Sequence, residues 1–257
     1  MDIRVKSWLE LQEAVFTDAW RPRIQRHRSS FVFRGVPRVS HTLDTSLQTG
    51  GFVAHEKHLL TSFRKYAVES AVHGDWVWNW LSLAKHHGLP TRILDWSYSP
   101  YVAMHFATAN VNEFDHDGAI WCVDYQKMNA LLPPTLQKIL KDENANIFTT
   151  EMLNGVATSL ADFDALGGDF VLFFEPPSLD ERIVNQFALF SLPSSAKLSL
   201  EDFLKHGESM YRRIIIPAEL KWEARDKLDQ ANITERVLFP GLDGLSQWLK
   251  RYFTTRK

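Results

Sequence analysis

Apolar positions along this chain alternate between helical spacing and short continuous runs, and the changes between the two locate its elements. Ser7 to Glu10 has the spacing of a capping box, after which Trp8, Leu11 and Val15 share one face, predicting an N-terminal helix over about 7–19. Phe31 to Phe33 is a β-favouring run closed by Gly35 and Pro37, so Arg34 falls at a strand end. Phe52, Leu60, Phe63 and Ala67 predict a longer helix over about 52–71, with Glu56 on the same face. Trp76, Trp80, Leu83 and Ala84 predict another, stopped by Gly88 and Pro90.

The sharpest switch lies in the middle. Thr91 to Trp96 reads as a strand; Ser99 then offers a cap, Pro100 a first helical position, and Val102, Ala103, Phe106 and Ala107 continue at helical period. Gly118 to Asp124, Phe170 to Phe174 and Arg213 to Ile216 read as strands. Arg182 to Val184 and Phe187 to Ser191 flank Gln186 on another strand, or on a short helix leading into one. Helices over about 218–232 and 244–253 close the chain, with Thr234 capping a turn between them. Helices are expected to concentrate in the N-terminal half while strands spread from 31 to 216. The expected fold is therefore α+β, with a mixed, mainly antiparallel sheet assembled from distant strands. No linker rich in Gly, Ser or Pro divides the chain, which predicts a single domain over 1–257.

Composition narrows the function classes. A chain of 257 residues with 45% hydrophobic content can bury a real core. Its formal net charge of −2 and lack of a basic stripe argue against nonspecific nucleic-acid binding. One cysteine, Cys122, excludes an intramolecular disulfide framework and a multi-cysteine zinc site, and points to a reducing, cytoplasmic setting. The charged N-terminus does not read as a signal peptide, and no apolar stretch approaches the roughly 20 residues that span a bilayer. Walker, dinucleotide-fingerprint and nucleophile-elbow loops are missing, and the ten histidines show no His-Glu-x-x-His spacing, so no metal is expected.

What remains is an ordered set of polar islands in apolar surroundings: Phe33-Arg34-Gly35, the segment from Arg92 to Ser97, and the segment from Arg182 to Phe187. The 95–99 turn leaves Asp95, Ser97 and Ser99 near helix-start amides, a location that favours anionic groups. Together with the run from Ala84 through Ser97, the Ala103 to Ala107 helix and Leu238 to Gly244, these islands resemble the FRG domain, named for its phenylalanine-arginine-glycine motif. The resemblance spans about 31–245. His87 stands where an aromatic is common in such domains, and Ala188 where a glycine is common.

More distantly, the order of the islands is similar to the ADP-ribosyltransferase superfamily. That similarity implies a cleft binding NAD as substrate, with Arg34 on a phosphate or ribose, Asp95 and Ser97 on the nicotinamide side, and Gln186 where a glutamate usually supports the ribose. Glutamine supplies a dipole and not a charge, so binding or glycohydrolase-like turnover survives better than transfer to a protein. Gly35, His86, Thr91, Arg92 and Trp96 complete the expected ligand-binding set. The implied partners are a nucleotide, a protein acceptor and a neighbouring immunity protein in toxin or defence biology, with no membrane; the alternative is a non-catalytic nucleotide sensor or interaction module.

Each of these residues also has a purely structural reading. Arg34 can pair with an acid across the sheet; Asp95 can cap a helix or pair with Arg92 or Arg34; Arg92 reads first as that structural partner. His86 and His87 suit a helix C-terminus as cations, or serve as bases. Glu56 is an ion-pair partner for Arg34 or a site acid, and Trp96 is core or a stacking surface. Glu175 and Glu181 are further carboxylates close in sequence to Gln186.

Overall fold

The computed structural model describes residues 1–67, 74–178, 180–207 and 209–256. Ten strands are present among them: β1 (Asp2–Arg4), β2 (Trp20–Arg21), β3 (Arg26–His27), β4 (Phe31–Val36), β5 (Leu94–Ser97), β6 (Gly118–Asp124), β7 (Phe148–Thr149), β8 (Val171–Glu175), β9 (Ala188–Pro193) and β10 (Tyr211–Ile216). Eight form one sheet in the order β1-β10-β6-β4-β5-β9-β8-β7, and β2 and β3 form a separate ribbon. Only the outermost pairs of the large sheet, β1 with β10 and β7 with β8, are parallel. The fold is α+β with a mixed, mostly antiparallel sheet built from non-sequential strands.

Local chemistry sets the elements that matter for the site. The Ser99 hydroxyl accepts from the Val102 amide at 3.4 Å and Pro100 opens the helix Pro100–Thr108, as the cap-then-proline spelling predicts. Helix Val77–His86 stops at His87, followed by Gly88 in the left-handed region. The expected helix over about 52–71 is a short 3-10 turn, Val53–His55, leading into helix Glu56–Tyr66; the part of that expectation at 68–71 lies outside the described residues. Arg182 to Val184 sit on a short helix, Glu181–Asn185, capped by the Asp180 carboxylate, with two residues between its end and strand β9.

Helices are not concentrated in the N-terminal half: Pro134–Asp142, Thr150–Val156, Lys221–Gln230 and Leu242–Tyr252 all lie beyond it. The last two are expected from the sequence; Pro134–Asp142 and Thr150–Val156 carry too narrow an apolar face to announce themselves. Pro134–Asp142 buries only Leu136 and Leu140.

Side-chain alternation divides the central strands between two cores. Phe33 packs with Ala103, Met104 and Ala107 of the helix lying over β4, whereas Val32 and Val36 join Leu94, Trp96 and Trp121 in a separate cluster. A Cβ on Gly35 would overlap the Ala103 carbonyl oxygen, so glycine here lets the helix seat against the strand. A third cluster, around Trp78, Phe163 and Phe174, lies under helix Val77–His86.

The sheet has a seam at its centre. Strand β4 pairs with β6 from Phe31↔Asp124 through Val36↔Ala119, and β5 pairs with β9 from Leu94↔Ser191 through Ser97↔Ala188. Between β4 and β5 the register holds a single pair, Phe33↔Ser97. The polar groups that open there need other partners.

Candidate functional site

Side chains take over where the ladder stops. The Arg34 guanidinium donates to the Asp95 carbonyl at 2.7 Å, the Ser97 hydroxyl donates to the Gln186 carbonyl at 2.7 Å, and the Gln186 side-chain amide donates to the Leu238 carbonyl at 2.8 Å. These bonds surround a recess of about 200 Å³, lined by Phe33, Arg34, Gly35, Asp95, Trp96, Ser97, Val102, Phe106, Arg182 and Gln186. Arg34, Asp95, Ser97 and Gln186, expected together from sequence, do share one hollow. The 238–239 segment backs two of the lining residues without lining the hollow itself: Leu238 accepts from Gln186, and Arg182 stacks on Phe239 with its guanidinium carbon 4.7 Å from the ring centroid.

The electrostatics of the recess are lopsided. Asp95 is its only carboxylate among the described residues; Lys85 lies 2.9 Å from it and Arg34 3.9 Å. Desolvation opposes ionisation of Asp95, but about half of its side chain is open to solvent and the positive charges of Lys85, Arg34 and Arg182 hold the carboxyl below its usual range, so it is ionised. Burial draws the Arg34 guanidinium below its ordinary value, with Asp95 opposing. Its Nε is buried without a hydrogen-bond partner. Arg182 makes no ion pair among the described residues. Two cations thus line the recess with one anion, and a third, Lys85, reaches that anion from outside the lining.

The remaining expected residues divide differently. Gly35 lines the recess, but its lack of a side chain serves the close approach of Ala103. Ser97 is a brace: its hydroxyl is already engaged by the Gln186 carbonyl and by the Ser99 amide, which donates to it at 2.9 Å.

Trp96 presents its ring to the core, edge-on to Phe173 at 5.7 Å between centroids, and its indole N–H donates to Ser191 Oγ at 2.9 Å. It is not a stacking surface, because alternation puts it on the face opposite Asp95 and Ser97. Thr91 is buried, its amide donating to Ser46 Oγ at 3.3 Å, and it does not line the recess.

Arg92 is also absent from the recess. It is buried against Glu56, its Nε donating at 2.8 Å and 3.0 Å to the two carboxylate oxygens, and it pairs with Asp164 at 2.5 Å. Glu56 is therefore the partner of Arg92 and not of Arg34. Its position on an apolar helix face carries no information about which arginine meets it.

His86 Nε2 lies 2.5 Å from an Asp180 carboxylate oxygen, which ties helix Val77–His86 to the short helix carrying Arg182. Burial lowers the His86 pKa, and Asp180 offsets this only in part. The histidine positions and does not line the recess. Cys122 is fully buried, and burial pushes its thiol up to about 12, leaving it inert.

Sequence reasoning missed Lys85, although it lies inside the quoted 84–97 run, and it quoted Arg182 without assigning it to the site. A lysine in the last turn of a helix reads as a response to the helix dipole, and nothing local marks it as the partner of a residue on a distant strand. Among the described residues no group of three or more His, Cys, Asp or Glu side chains is placed to hold a metal ion. No described helix is long and apolar enough to cross a membrane.

The sequence model of the FRG domain matches residues 29–116. An FRG domain is present in this chain. The match takes in β4 with Arg34 and Gly35, Lys85, β5 with Asp95 and Ser97, and the helix behind them. Arg182, Gln186 and the 238–244 segment lie outside it, so the resemblance over 31–245 is supported for its first part only. Searches of curated proteins and of solved structures returned no match. Nothing in these comparisons supports relationship to ADP-ribosyltransferases. Within the FRG domain, the arginine and glycine of the naming motif have separate duties, Arg34 bridging the seam and Gly35 admitting the helix.

Proposed function

We propose that the seam recess binds the phosphate and ribose portion of a nucleotide, NAD among the candidates, and that the chain is a nucleotide-binding FRG-domain protein. The single observation that carries this reading is the excess of cations: Arg34, Arg182 and Lys85 around Asp95, with Arg182 unpaired among the described residues and the Nε of Arg34 unsatisfied. A positive group held in a hollow without a counter-charge is costly unless a ligand supplies one. Guanidinium groups match phosphate oxygens in geometry as well as charge. The ionised Asp95 accepts hydrogen bonds from ribose hydroxyls, and the Oε1 of Gln186, which accepts no hydrogen bond among the described residues, offers a further acceptor.

At about 200 Å³ the recess is smaller than the ~300–1,000 Å³ of pockets that engulf drug-sized ligands, so it holds one end of a nucleotide and leaves the rest outside. Binding without turnover is favoured by the state of Asp95. Cleavage of NAD breaks the bond from ribose C1′ to nicotinamide, the electron pair leaving with the ring nitrogen, and water closes on C1′ after giving up a proton. A free carboxylate stabilises the cationic C1′ best, and Asp95 is already engaged by Lys85. Glycohydrolase or ADP-ribosyltransferase activity is the second reading, with Asp95 in the role that Gln186 lacks the charge to fill.

Calorimetry with NAD and ADP-ribose, alongside an assay of nicotinamide release, tests both. The expected result is binding by the wild type, at least ~10-fold weaker binding by Arg34→Ala, and no release. Release lost in Asp95→Asn but with ADP-ribose still bound would establish the catalytic reading. Lack of any binding, or equal binding by Arg34→Ala, would reject the recess as a nucleotide site.

A further inference from the structure

The nucleotide reading of the recess leaves the base unhoused. A hollow of about 200 Å³ that takes phosphate and ribose has no room for a purine, so a base would lie at the rim. One residue next in sequence to the recess lining is anomalous on two independent counts. Phe187 follows Gln186 directly and is 62% exposed, and it is the only exposed aromatic immediately beside a recess residue among those described. Its backbone is also left-handed, with φ of 45°, a conformation that favours glycine and is strained for a bulky side chain. The conformation is held in place: the Phe187 carbonyl accepts from the Tyr98 amide at 3.1 Å, immediately after the Ser97 brace, and the Phe187 amide donates to Val184 at 3.0 Å. The position is thus one where glycine would relieve the backbone and a polar residue would suit the solvent, yet it carries a phenyl ring.

We infer that Phe187 is the stacking platform for the base of the nucleotide whose phosphate lies in the recess. The inference rests on the nucleotide reading of that recess. A phenyl ring offers its face to any base, so the platform adds affinity for base-bearing ligands without selecting among them, while Arg34 and Arg182 hold what a base-free sugar phosphate also carries. The strained backbone presents the ring at a fixed place.

Two ligands separate the platform from the recess: ADP, and ribose 5-phosphate, which lacks the base. Dissociation constants are measured by calorimetry for the wild type and for Phe187→Ala, Phe187→Gly and Phe187→Trp. The platform predicts that Phe187→Ala weakens ADP on the order of tenfold while ribose 5-phosphate changes less than about twofold. Phe187→Gly loses ADP affinity equally and melts at a higher temperature, because the backbone strain is relieved. Phe187→Trp keeps ADP binding, with indole fluorescence quenched by ADP and not by ribose 5-phosphate. Unchanged ADP affinity in Phe187→Ala and Phe187→Gly, with ribose 5-phosphate still bound, would overturn the platform and leave the recess intact. Equal weakening of both ligands would also overturn it, making Phe187 a support of the recess. If the wild type binds neither ligand, the recess reading fails and the platform with it.

Discussion

The arginines of the C-terminal segment and those of the seam are surrounded in opposite ways. Arg251 is buried between two carboxylates: its Nε and one terminal nitrogen donate to Glu235 at 2.6 and 2.8 Å, and its terminal nitrogens donate to Asp229 at 2.7 and 2.8 Å. Arg225, also buried, reaches Asp229 at 3.1 Å and His105 Nδ1 at 2.9 Å. Two cations there meet two anions. At the seam, Arg34, Arg182 and Lys85 share Asp95 alone among the described residues. The C-terminal cluster balances its charges internally, although the Arg225 Nε there is, like the Arg34 Nε, buried without a hydrogen-bond partner; the seam group holds more cations than anions. Arginines of similar appearance in sequence thus differ in what their removal costs.

The largest effect expected from breaking this contrast is on the balanced side. Arg251→Met leaves Asp229 and Glu235 in a buried site without their main partner, and the cost is about 3–5 kcal/mol, read from urea unfolding. A loss under about 1 kcal/mol would mean that the cluster is not the structural unit described.

Acid provides a second test of the same cluster. Burial, aided by the neighbouring Arg225 and Arg251 charges and opposed by Glu235, lowers the pKa of His105 to about 3, so this histidine is neutral when folded. Arginine has no acceptor, so Arg225 donates to Nδ1 and the proton of the neutral ring sits on Nε2. Between pH 6.5 and 3 the unfolded chain binds a proton here that the folded chain refuses, and stability therefore falls as pH falls. Between about pH 6.5 and 4 the loss is on the order of 3 kcal/mol, and His105→Asn removes that component of the slope. A wild-type unfolding midpoint that stays flat over this range would contradict the neutral, enclosed histidine.

The seam side of this contrast was partly visible before the fold, and the C-terminal cluster was not. The Ser99-Pro100 start, the Gly88 stop and the strand carrying Phe33 are local signals, written in capping, backbone freedom and period. The grouping of Arg34, Asp95, Ser97 and Gln186 was expected from the order of the polar islands and their similarity to ADP-ribosyltransferases, and the four do line one recess. Partners were the illegible part. Glu56 reaches Arg92 across 36 residues and Arg34 reaches the Asp95 carbonyl across 61, and no period or cap encodes such choices. Trp96 left two readings open for a different reason: a tryptophan beside polar residues suits a ligand face or a core face equally, and the alternation of β5 turns its ring to the core while the residue still borders the recess. Strands β1 and β7, of three and two residues, are too short to carry a period and exist because longer strands beside them offer free edges.

The smallest change in stability and the most direct test of the account meet at Arg182. Its guanidinium makes no ion pair among the described residues and only stacks on Phe239, so Arg182→Ala is expected to shift unfolding by no more than about 1 kcal/mol. Calorimetric titration of ADP into the wild type and this variant, with melting temperatures taken on the same samples, is the decisive measurement. The account predicts binding by the wild type and at least ~10-fold weaker binding by a variant that melts within a few degrees of it; equal affinity in the two proteins, or no affinity in either, would contradict it.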